Sequence, residues 1–73
     1  MPVKLQVNNN ILKISSGEDY IEVHDECVCM NSDACYPRQE GEGLTLSTSH
    51  DSMVLTVGHM RFIITPFGIL KNF

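Results

Sequence analysis

The chain predicts an all-β domain, and three observations carry that prediction. Apolar and polar residues alternate with period two through most segments, turn-forming residues punctuate those segments, and no amphipathic helical pattern persists. Seventy-three residues make a single small domain over 1–73, near the lower limit at which one hydrophobic core holds a chain folded without staples or partners. About six or seven short strands in that length suggest a small antiparallel barrel or a curled two-layer sheet, because free edges of a flat sheet invite aggregation.

The elements follow in order. Val3, Leu5 and Val7 alternate with Lys4 and Gln6, and Asn8, Asn9 and Asn10 then supply residues that tolerate the left-handed backbone of a tight turn. A second strand follows over 11–15. Ser16, Gly17, Glu18 and Asp19 make the next turn, and residues 20–23 place Ile21 and Val23 on one face with Tyr20 and Glu22 on the other. His24 and Asp25 are expected as a two-residue turn into a strand over 26–30, with a bulged continuation as the alternative. Residues 31–43, rich in Asn, Ser, Asp, Pro, Gly and Glu, read as one long loop.

The second half is a meander of three strands over 44–48, 53–57 and 60–65, turned at Ser49-His50-Asp51-Ser52 and at Gly58-His59. Pro66 lacks the amide proton a central ladder needs and so ends the third strand. Residues 67–73 then form an apolar tail.

Charge is polarised along the chain. Eight of the nine carboxylates, Glu18, Asp19, Glu22, Asp25, Glu26, Asp33, Glu40 and Glu42, face only Arg38 within their segment, a formal −7. Lys4, Lys13, Arg61 and Lys71 against Asp51 leave the remainder at +3, and the whole at −4. That balance argues against direct binding to nucleic acid or to anionic membranes, both of which require clustered Lys and Arg. No run approaches the roughly 18 apolar residues of a membrane span, and residues 1–6 lack a secretory signal's apolar core. A cytoplasmic protein with reduced cysteines is expected.

The acidic segment also carries His24, Cys27, Cys29 and Cys35. Four such ligands are the number a closed tetrahedral zinc site uses, yet C-x-C lacks the knuckle spacing that turns two sulfurs toward one point. If the register of 20–23 persists, Cys27 and Cys29 share the buried face of Ile21 and Val23 as structural thiols. No cofactor is expected, and the chain should fold without metal. Asp25 and Glu26 oppose formation of a thiolate nearby, so Cys35, beside Tyr36 and Arg38, is the better candidate for a reactive or intermolecular thiol.

Ser49-His50-Asp51 has the letters of a catalytic triad, but consecutive turn residues cannot align hydroxyl, imidazole and carboxylate. No calcium loop, phosphate-binding glycine motif or nucleic-acid stacking platform is present. The pattern points to a small non-enzymatic protein-binding module, an inhibitor or regulator, with Glu18, Asp19, Glu22, Asp25 and Glu26 engaging a basic surface of a protein partner. Phe67, Ile69, Leu70 and Phe73 are the expected contact of a homo-oligomer. Two alternatives stand beside this: a zinc-stapled structural or assembly subunit using His24, Cys27, Cys29 and Cys35, and an acidic nucleic-acid mimic of the kind viruses and mobile elements deploy.

Overall fold

The computed structural model describes residues 3–39 and 41–73. Two antiparallel meanders account for all of its regular structure. The first comprises β1 (Val3–Asn8), β2 (Ile11–Ser16), β3 (Asp19–Val23), β4 (Cys27–Met30) and β5 (Ala34–Pro37), hydrogen-bonded in chain order. The second comprises β6 (Leu44–Thr48), β7 (Met53–Val57), β8 (Met60–Thr65) and β9 (Gly68–Lys71), again in chain order. Of the two architectures expected, the two-layer sheet is the one formed; the sheets do not join into a closed barrel.

Alternation builds the core. Ile14, Ile21, Val23 and Val28 from the first sheet meet Met53, Leu55, Val57, Met60, Phe62, Ile64 and Ile69 from the second, which is the inward face of two packed sheets. Their intervening neighbours, such as Lys13, Glu22, Thr56 and Arg61, are half-buried or exposed.

The turns follow local chemistry. Asn9 and Asn10 both adopt positive φ, 52° and 66°, as a type I′ hairpin requires. Gly17 and Gly58, at φ 61° and 62°, open the two-residue turns into β3 and β8.

Two expectations need correction. The loop expected over 31–43 contains β5, because Ala34 and Tyr36 face inward opposite Met30 and Val28, while Pro37 stands where the ladder requires no N–H. Arg38 N donates to Glu26 O at 2.9 Å, so antiparallel alternation makes the neighbouring Cys27–Pro37 pair a non-hydrogen-bonded one. The tail expected over 67–73 contains β9, paired with β8 from Thr65↔Gly68 to Phe62↔Lys71. Pro66 ends β8 but begins a turn rather than ending the sheet.

The layers are fastened at one corner. The Ser16 hydroxyl, 1% exposed, donates to the Thr65 carbonyl of the opposite sheet. Asp19 Oδ2 accepts the Ile69 N–H at 2.9 Å, and Asp19 Oδ1 accepts from Asn31 Nδ2 at 3.3 Å. A Cβ on Gly17 would lie 2.6 Å from the Phe67 carbonyl oxygen, so glycine is needed there for close approach as well as for its backbone conformation.

Candidate functional site

The outward face of the first sheet collects most of the residues singled out in the sequence. The turn between β3 and β4 falls at Asp25-Glu26, with His24 N donating to Cys27 O at 2.8 Å, one residue later than expected. Across it Glu22 pairs with Cys29 and Val23 with Val28, so odd positions on β4 share a face with even positions on β3. Cys27 and Cys29 therefore stand with Tyr20 and Glu22 on the outer face, and Val28 and Met30 take the inward places. The expectation that Cys27 and Cys29 are buried structural thiols is corrected: it requires the odd-numbered face of β3 to run on unbroken, whereas the two-residue turn breaks that register, and the pairing of Val23 with Val28 turns both cysteines outward.

On β5, Cys35 lies directly across from Cys29. The two form a disulfide with Cα atoms 4.0 Å apart, at the close, non-hydrogen-bonded kind of position. This corrects the expectation of reduced cysteines. Cys27 is the free cysteine, and its Sγ lies 3.7 Å from Cys29 Sγ. His24, opposite Cys27 across the turn, has its Nε2 3.5 Å from Glu22 Oε1.

The five carboxylates expected to form one recognition face are separated by the fold. Glu18 sits exposed at the β2–β3 turn, and Asp19 is engaged at the corner with Ile69 and Asn31. Asp25 and Glu26 are exposed at the opposite end of β3, with half-buried Glu22 on the face near them. The residues fall into two groups because a strand carries its ends to opposite edges of the sheet.

The cations near the second group do not neutralise it. Arg38 directs Nη1 to the His24 carbonyl at 2.6 Å and Nη2 to the Glu42 carbonyl at 3.3 Å, while its Nε is buried without a partner among the described residues. Lys13, across from Glu22, has its Nζ 4.7 Å from the Tyr20 ring centroid. Among the described residues the carboxylate pairs are with histidine alone, Glu22 with His24 and Glu42 with His59 at 3.7 Å. Glu42 also accepts from Gln39 N. Glu40 lies outside the described residues.

No family model, curated protein or solved structure matches the chain.

The oligomer contact expected at the C-terminus is divided. Ile69 is 3% exposed and belongs to the core, whereas Phe67 and Leu70 are 92% and 61% exposed. The inward place of Ile69 follows from its pairing with Ile64, so it cannot serve as a surface contact. Phe73 packs edge-on to Tyr36 and Phe62, with ring centroids 5.1 and 5.3 Å away, and Lys71 Nζ lies 5.1 Å from its ring centroid. The register sets half-buried Val54 and Ile63 beside exposed Leu70, because Ser47, Val54, Ile63 and Leu70 form one row across the outer face of the second sheet.

Other candidates take ordinary structural places. His50 and Asp51 are exposed at the β6–β7 turn, which Ser49 N closes on Ser52 O at 2.9 Å. A surface depression is lined by Lys4, Gln6, Ser15, Ser16 and Gly17, and a second by Asp19, Thr65 and residues of the β8–β9 turn. In each the conspicuous polar group, Ser16 or Asp19, is already hydrogen-bonded to the opposite sheet.

Proposed function

We propose that the protein is a small non-enzymatic protein-binding module, an inhibitor or regulator in kind, that engages a basic partner surface through the β3–β4 hairpin. One observation carries this: the only cation of the acidic segment, Arg38, is committed to main-chain carbonyls. Among the described residues, the Asp25 and Glu26 carboxylates stay exposed and without a cationic partner. Unpaired charge of one sign at the rim of a contact steers encounter and sets specificity. Glu22 extends the face, Glu18 lies at the far end, and Asp19 is assigned to the fold.

A second copy of the chain is the other partner we propose. The row Val54, Ile63 and Leu70, with Phe67 near its end, is an apolar surface of the kind that marks association.

The test captures the partner from the native host and measures its association with wild type, Asp25→Lys/Glu26→Lys and Glu18→Lys. The hairpin variant should associate more slowly at low salt and with a flatter salt dependence, and Glu18→Lys should change the rate less. An unchanged rate for the hairpin variant at low salt refutes the assignment.

A further inference from the structure

The three cysteines and His24 meet on one outward sheet face, an arrangement their spacing in the chain conceals. Cys27 and Cys29 are two apart on β4, Cys35 is directly across from Cys29, and His24 is directly across from Cys27. Two positions at i and i+2 of one strand plus neighbours on each flanking strand place four side chains around one point above the sheet. No knuckle is needed.

Distances support a metal centre. Zinc–thiolate bonds of about 2.3 Å in a tetrahedron place sulfurs about 3.8 Å apart, and Cys27 Sγ and Cys29 Sγ stand 3.7 Å apart. Glu22 Oε1 is 3.5 Å from His24 Nε2, leaving Nδ1 as the free ring nitrogen. A carboxylate behind a histidine in this way orients the ring and raises its basicity as a ligand. With the Cys29–Cys35 disulfide closed, two of three sulfurs are unable to act as thiolates, and no three groups among the described residues are placed to hold a cation.

We propose that the reduced protein binds one zinc-class cation through Cys27, Cys29, Cys35 and His24, and that closing the Cys29–Cys35 disulfide abolishes the site. An external dithiol supplies the two electrons and two protons that convert the disulfide to two thiols, and itself closes to a disulfide. The arriving cation then displaces the three thiol protons into water. Three thiolates and a neutral imidazole are a donor set suited to zinc. The inference does not rest on the acidic hairpin as a recognition surface, and its test involves no protein partner.

The test uses the full chain in two metal-free forms, phosphine-reduced and disulfide-closed, each titrated with Co²⁺ as a spectroscopic probe and then with Zn²⁺ against a chromophoric chelator. The reduced form should take up one ion per chain with sulfur-to-cobalt charge-transfer absorption and the visible bands of tetrahedral cobalt. The closed form should show neither. Cys27→Ser and Cys35→Ser should each weaken uptake by more than about tenfold, and Glu22→Gln by about tenfold with the charge-transfer absorption retained. These side chains face outward, so circular dichroism should show each variant folded. Failure of the reduced protein to bind, equal binding by the closed form, or unchanged affinity in both serine variants overturns the proposal.

Discussion

Replacing Asp19 with alanine separates a structural carboxylate from a recognition carboxylate in one measurement. Its Oδ2 is the acceptor for the N–H of Ile69, a residue 3% exposed, and Oδ1 holds Asn31, whose own Oδ1 accepts from Tyr20 N at 2.9 Å. Alanine leaves the Ile69 donor at the sheet–sheet corner without that acceptor, a loss of about 1–3 kcal/mol. Asp19 is only half-buried, so water recovers part of this, and about 2 kcal/mol is expected. For a domain of this size roughly 4–8 °C is lost per kcal/mol, so Tm should fall by about 8–16 °C. Urea unfolding followed by circular dichroism should show a lower midpoint at unchanged slope. Glu18→Ala, one residue away and exposed, should stay within about 0.5 kcal/mol of wild type, and Asp19→Asn, which keeps an acceptor oxygen, should fall between. If Asp19→Ala unfolds within about 0.5 kcal/mol of wild type, the corner is not what fastens β9 to the first sheet.

Two further outcomes are expected. Gly17→Ala should destabilise by more than the roughly 1–2 kcal/mol of a left-handed non-glycine residue, because its Cβ would meet the Phe67 carbonyl; Gly41→Ala, at φ 86° with nothing within 4 Å, should bear only the conformational cost, and equal midpoints for the two in urea would refute the close-approach argument. Sedimentation at tens of micromolar should show a dimer or larger species, and Phe67→Asp/Leu70→Glu should return it to the mass of one chain; a single-chain mass for wild type refutes association through that face.

Much of the fold was legible in the chain. The alternation identified strands over 11–15, 20–23, 53–57 and 60–65, and in 20–23 the shared face of Ile21 and Val23, since a half-buried strand must alternate, and the Asn and Gly turns declared themselves through residues that accept positive φ. β5 and β9 were harder to read because both are short. In β5 the residues Cys35 and Pro37 carry little strand signal, and only pairing with β4 shows that Pro37 occupies a position without a ladder hydrogen bond. In β9 the inward place of Ile69 depends on Ile64 across the sheet, which local sequence does not contain.

By itself the sequence determined the fold class, the placement of most strands, the acidic polarisation of the chain and the presence of four ligand-type residues within it. Tertiary structure decided which of those residues meet. A turn at Asp25-Glu26 rather than His24-Asp25 brings His24 across from Cys27, and the pairing of β4 with β5 beyond the next turn brings Cys35 across from Cys29. The same geometry separates Glu18 from Asp25 by the length of β3 and draws Asp19 into the corner between sheets. Register is settled by the summed burial of Val23, Val28, Ile21 and Met30 against the second sheet, a long-range energy carried by no single segment of the chain.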